Sequence, residues 1–302
     1  MALWAERGSL VPFRGRAATL RHRTILMAPS DPTPDGPTDD SDGMGRRARN
    51  RVARHEELLA AATDIVAEKG IDGLTMQDLA QRVDCAVGTI YTYFDSKSSL
   101  LAGLQVNAIQ RLLSTYHEQF AVWEDYLVAD QTDPRTAALA RVLAFARLFV
   151  AFPTVHPREF ELLQRIIATP EQLIDTTDGH AVQFASMALM NNARNLIDDA
   201  VEAGALTAGR PGTGATDDSV SRTLRMAGAL NGGLLVSNVA SNPDLVDIDT
   251  FNGQRLARVL SEDLMMGWGA QPETLDEAVK LLDRMERDGA LLPEPADSGS
   301  DA

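Results

Sequence analysis

LTMQDLAQRVDCAVGTIYTYFDSK, residues 74–97, decides the fold of this 302-residue chain. Thr75 is a good helix N-cap, and Asp78 three residues later completes a Thr-x-x-Asp capping box, so a helix is expected to start at Met76. Met76, Leu79, Ala80 and Val83 then share one face at i, i+3, i+4 and i+7. Asp84-Cys85-Ala86 breaks that pattern. A second short helix follows, with Val87, Ile90, Tyr91 and Phe94 on its inner side. Two helices of about eight residues around a turn of about three or four have the dimensions of a helix-turn-helix.

Upstream, Leu58, Leu59, Ala62, Ile65 and Val66 form a helical stripe ending at Lys69, and Gly70 stands where a left-handed cap is expected. This helix, the Thr75 box and the run Gly88-Thr89-Ile90-Tyr91-x-Tyr93-Phe94, followed by Ser96-Lys97, resemble the DNA-binding domain of the TetR family of bacterial transcriptional regulators. The resemblance covers roughly Arg51 to Leu101. It implies an all-α fold, with an N-terminal three-helix helix-turn-helix domain followed by a helical ligand-binding and dimerisation domain. The expected division is 1–45 as a disordered extension, 46–98 as the DNA-binding domain, 99–290 as the effector-binding and dimerisation domain, and 291–302 as a disordered tail.

The net charge of −15 runs against DNA binding until it is divided. Residues 44–117 carry 9 Lys/Arg against 8 Asp/Glu, whereas residues 118–302 carry 14 against 29. An acidic body lowers non-specific retention on phosphate, and a basic head supplies local attraction. One cysteine, Cys85, excludes an intrachain disulfide and suits a reducing cytoplasm. The histidines show no metal-site spacing, and no nucleophile motif or phosphate-binding glycine loop supports an enzyme. No cofactor is implied. No apolar run is read as approaching the 18 or more residues of a membrane span.

The arginine-bearing segment 1–26 has no apolar signal core, and Met27 and Met44 are alternative translation starts to Met1. Residues 28–43 are too polar to offset ordering entropy and are expected to be disordered. Ser96 should cap a helix of about 30 residues that begins near Lys97 and runs through Leu101, Leu104, Ala108, Leu112, Tyr116, Phe120 and Trp123. Leu139 to Val150 makes a further helix ended by Pro153, and Pro157 to Pro170 another. His180 to Ala203, apolar on two sides, reads as a central helix. A Gly/Thr/Pro-rich loop, 207–216, leads to two more helices and a final one over Glu273–Arg287.

For DNA, the second helix of a helix-turn-helix enters the major groove with its N-terminal residues, here Val87, Gly88 and Thr89, at base edges. The resemblance places Thr75, Thr89, Tyr91, Tyr93 and Lys97 on positions that hold phosphates, a role their hydroxyls, phenols and ammonium suit. Base reading falls to Gln77, Val87 and Thr92, since glutamine pairs with adenine and a valine methyl meets thymine. Arg49 and Arg51, in the basic arm Arg46–Arg54, either touch phosphate or the minor groove or simply solvate a helix start. Tyr91 and Tyr93 have a second reading as core aromatics; Phe94 is core, and Cys85 is read as buried and inert. Asp84 and Ala86 depart from the family's turn glycine and serine-type cap.

A small hydrophobic effector is expected among Trp123, Phe145, Phe149, Phe184, Met187, Asn191 and Asn195, with Phe152 and His156 nearby. The same residues equally fit an ordinary core. Asn191 and Asn195, as buried amides, would need partners. Glycine inside a helix costs about 1 kcal/mol, so Gly232 and Gly233 point to close approach of another helix. By resemblance, Leu230, Gly233, Leu234, Leu256, Leu260 and Leu264 join a second copy in a four-helix bundle. The resulting expectation is a cytoplasmic homodimer, with no membrane role, that represses from a palindromic double-stranded operator and is released by the effector. The alternative is a ligand-independent DNA-organising or protein-interaction factor with a filled core.

Overall fold

The computed structural model describes residues 40–168, 174–209, 218–239 and 252–293. Among them the chain forms ten helices and no strand. Helix α1 (Asp40–Lys69) begins earlier than the basic arm suggests, so residues 40–45, expected to be disordered, are helical instead. It ends at Gly70, whose φ of 76° needs no Cβ to be accommodated. The expected disorder of 1–39 and 294–302, the closing Pro170 and most of the 207–216 loop lie outside the described residues. Of the expected disordered tail, Leu291 instead lies fully buried in the body.

α2 (Met76–Arg82) and α3 (Val87–Tyr91) follow α1. They share with it a small core of Leu58, Leu59, Ile65, Leu74, Leu79, Ile90 and Phe94. Ile90 is the side chain α3 buries completely, a contact worth about 1.5–3 kcal/mol. A five-residue helix cannot hold itself, so this anchor fixes it.

α4 (Lys97–Ala129) starts with a reciprocal Ser96–Ser99 capping box. Its first turns, Leu100, Leu101 and Leu104, complete the head core, and its later ones, Tyr116, Trp123 and Leu127, belong to the body core. One helix therefore serves both hydrophobic clusters. α6 (Pro157–Ala168) also reaches the head: Leu162 enters its core, and Arg158 pairs with Asp64 at 2.6 Å.

The central helix is α5 (Pro134–Val155), which continues through Pro153. By length and composition it could cross a membrane, against the expectation that no run was apolar enough; 72% of that apolar window is buried by the rest of the fold. α7 (Thr176–Glu202) is not central. It buries Ala193, Leu196, Ile197 and Ala200, while Phe184 and Met187 are exposed. Hydrophobic periodicity finds apolar sides but not what covers them.

α8 (Ser219–Val239) and α9 (Gly253–Gly267) pack as a pair. The reason for Gly233 lies here: a Cβ on it would sit 2.7 Å from the Ala257 Cβ and 2.9 Å from the Ala257 backbone nitrogen. α10 (Pro272–Arg287) is bound into the body rather than added to it. Arg147, buried on α5, reaches Asp283 at 2.8 Å and Glu286 at 3.2 Å. Just beyond α10, Leu291 accepts the Trp123 indole N–H at 2.9 Å and Ala290 accepts from Gln119 at 2.8 Å.

Candidate nucleic-acid interface

The turn between α2 and α3 takes the form its sequence forces. Asp84 occupies the left-handed region at φ 50°, the strain expected where the family has glycine, and its neighbour Cys85 is half-buried rather than buried. Ala86 caps α3 with no side-chain hydrogen bond. On α2, Thr75 Oγ1 accepts the Asp78 N–H at 3.0 Å and also pairs with the Asp78 carboxylate. That contact first, and Lys69 at 3.0 Å second, hold the Asp78 carboxyl below its ordinary pKa. Arg82 does the same to Glu68.

These local bonds sort the expected DNA contacts. The proton of Thr75 is directed at Asp78, and that of Thr92 is donated to the Thr89 carbonyl at 2.7 Å, so neither hydroxyl is left free to donate. Lys97 gives one of its donors to the Ile71 carbonyl at 3.0 Å, which orients an exposed ammonium that keeps two more. Gln77 and Tyr91 are exposed and make no hydrogen bond among the described residues, while Thr89 is half-buried beside them. Val87 is half-buried against the head core and offers only part of its side chain. Gly88 is exposed, and a Cβ on it would meet nothing within 4 Å.

The arm is reorganised. Arg47, Asn50 and Arg51 come to one side of α1 and, with Thr92 and Tyr93, enclose an open hollow of about 350 Å³. The Arg51 guanidinium lies 5.8 Å from the centre of the Tyr93 ring, which is itself half-buried against the head core. Arg49 falls on the opposite side of the helix, exposed and outside this hollow. Arg47 and Asn50 were missed as a pair with Arg51, although their i, i+3, i+4 spacing is the signal that unites them.

The seven-residue effector pocket is not assembled. Trp123 and Phe145 are buried with Tyr116, whose ring centre lies 6.1 Å from the first and 5.3 Å from the second, and Phe149 packs against the same cluster. That burial, with Asp199 and Glu124 near, pushes the Tyr116 phenol up to about 12. Phe184, Met187, Asn191 and Asn195 instead face outward on α7, so the two amides are exposed and not buried. The expected dimer residues lie within one helix pair of the chain, α8 and α9. Leu230, Gly233 and Leu234 are buried, with Gly233 against α9 of the same chain, and Leu260 and Leu264 are half-buried; Leu256 alone is exposed. The exposed apolar side chains of this helix pair are Val220, Leu224 and Leu235 on α8 and Leu256, Val259 and Met266 on α9.

Residues 58–104 match the family model described as bacterial regulatory proteins, tetR family. The chain's head is a TetR-family DNA-binding domain. Its function is transcriptional regulation through DNA binding by the helix-turn-helix. Over 154 residues it is 22% identical to YvdT of Bacillus subtilis, named as an uncharacterized HTH-type transcriptional regulator, covering 47% of this chain and 79% of that protein. Over 82 residues it is 30% identical to the HTH-type transcriptional repressor KstR2 of Rhodococcus jostii, covering 27% of this chain and 37% of that repressor. The solved fatty acid degradation regulator FadR of Bacillus halodurans shares its fold at a TM-score of 0.50 and 16% identity, covering 72% of this chain and 97% of FadR. The chain therefore carries a familiar head on a body whose resemblance is one of architecture.

Proposed function

We propose that this chain is a cytoplasmic, dimeric TetR-family repressor that binds a palindromic operator and is released by a small-molecule effector. One observation carries the reading: Gln77, Thr89, Tyr91 and the Arg47–Asn50–Arg51 hollow hold hydrogen-bonding groups that the fold does not itself use. Groups of this kind seat phosphates, and the exposed Gln77 is the candidate base reader.

Dimerisation is supported by the outward apolar stripe of α8 and α9. Gly228 and Gly232 leave α8 slim there, since a Cβ on either would meet nothing within 4 Å. A second copy presenting the same stripe would cover both in a self-complementary contact. Such a dimer must set its recognition helices about 34–36 Å apart, or a multiple of that spacing.

The test is footprinting of the full chain on the DNA beside its own gene at low ionic strength, with its mass measured by sedimentation. A dimer that protects two half-sites supports the reading; a lone subunit with no retention refutes it. The filled cluster around Trp123 favours a second reading, a ligand-independent DNA-organising or protein-interaction factor. A small molecule that shifts thermal stability or DNA retention decides between them.

A further inference from the structure

A cleft of about 800 Å³ opens beside the head core, between α1, the first half of α4 and the first turns of α7. That volume is in the range of about 300–1,000 Å³ that accepts small organic molecules. Its apolar lining includes buried Leu59 and Phe94, half-buried Val106, and Val52, which the fold leaves 58% exposed. Arg51 is the cation of the lining, with His55 one turn along α1 and Asn107 contributed by α4. Of the two carboxylates present, Asp178 already accepts the Ser98 hydroxyl at 2.5 Å, and Glu56 is solvent-exposed. Arg51 is the telling member, because it also lines the DNA-facing hollow with Tyr93.

We propose that this cleft binds a small amphipathic carboxylate, its apolar body against Val52, Phe94 and Val106 and its anionic end on the Arg51 guanidinium. Bound there, the carboxylate competes with a DNA phosphate for the same arginine. The ligand half stands by itself; the competition half rests on the reading of the head as the DNA-binding surface. A planar guanidinium takes a carboxylate or a phosphate through the same paired N–H donors, so one side chain can serve either but not both at once. The site differs from the expected body pocket, none of whose expected residues lines it.

The test uses the full chain and 2-naphthoate as a fluorescent probe, with uncharged 2-naphthamide as control. Naphthoate is expected to bind saturably, and Arg51→Gln to weaken it about tenfold or more, the range for a lost charge-assisted hydrogen bond. Naphthamide should be indifferent to Arg51→Gln. Val106→Trp, or Ala102→Leu if that variant does not fold, fills the cleft and should abolish binding of both. Absence of saturable binding, or binding indifferent to both the arginine and the filling variant, overturns the assignment. In the second stage naphthoate should release the promoter fragment from the wild-type chain and not from Val106→Trp. Binding in the cleft without release overturns the competition. Cleft-dependent binding in a chain that never retains DNA leaves the ligand site standing and refutes the DNA reading alone.

Discussion

The head and the body of this chain differ in what their folds leave unused. The head buries its apolar residues in one small core and spends several surface charges on internal pairs, Lys69 with Asp78 and Arg82 with Glu68. What remains outward is hydrogen-bonding capacity: Gln77, Tyr91, Arg47, Asn50 and two donors of Lys97. The body spends its polar groups inward, on Arg147 with Asp283 and Glu286 and on Trp123 with Leu291, and leaves apolar side chains outward along α8 and α9. The residue of each fold indicates its partner. Unused donors suit a polyanion, and an unused apolar stripe suits another stripe like itself.

The strongest way to break that contrast is to charge the stripe. Leu224, 55% exposed on α8, should accept glutamate without loss of the monomer fold. Facing its own copy across a two-fold contact, the charge should cost about 3 kcal/mol or more and lower dimer affinity about a hundredfold. Sedimentation equilibrium reads this directly. Val128→Glu, at a position 75% exposed on α4, is the control that should leave the mass alone. An unchanged mass for Leu224→Glu would move the interface elsewhere.

Next in size is the body's inward polar network. Arg147→Ala removes a buried guanidinium from two carboxylates that remain partly hydrated, so the expected loss is about 2–3 kcal/mol, at or below the range for breaking a fully buried pair. Arg147→Met should cost less, because it fills the same volume without a charge to desolvate. Denaturant unfolding of both variants gives the order. If methionine proved as damaging as alanine, the ion pair and not the packing would dominate how α10 is held.

The head was legible because its signals are local. The Thr75 cap, the Gly70 cap and the Asp84 turn act within a few residues and lie where the spacing puts them, although the Asp78 carboxylate takes the Thr75 hydroxyl and not its backbone N–H, so the expected box is half made. What the sequence could not show was which hydroxyl protons are already spent, since Thr75 and Thr92 look like donors until their partners are placed. The body's signals are less local. Leu230, Gly233 and Leu234 repeat at helical spacing, but the same pattern serves a partner in the same chain or in another. The length of α10's reach, from Arg147 on α5 to Trp123 on α4, is a tertiary fact with no local trace.

Smaller effects sharpen the head's side of the contrast. Lys97→Ala and Arg51→Ala should each weaken binding to all sequences alike and reduce the slope of log affinity against log salt by about 1. Arg49→Ala should change the slope by much less, because Arg49 lies on the far side of α1 from the hollow. Equal slopes for Arg49 and Arg51 would mean that the arm acts as a diffuse charge and that the hollow has no special part. Gln77→Ala should instead change which operator is preferred, by about 1–3 kcal/mol at one base position.

Gly88→Ala is the finest test, because it separates the fold from its use. Gly88 lies inside α3 with ordinary helical backbone, and a Cβ there would meet nothing within 4 Å. Nothing among the described residues demands glycine, and alanine should stabilise the head by up to about 1 kcal/mol. If DNA approaches α3 as closely as the exposed face suggests, the added methyl should weaken operator retention while it raises the unfolding midpoint. The two readouts then move in opposite directions, which no purely structural role for Gly88 would produce. A variant that is both more stable and equally well retained on DNA would place the contact away from the start of α3, toward Gln77 and the arginine hollow.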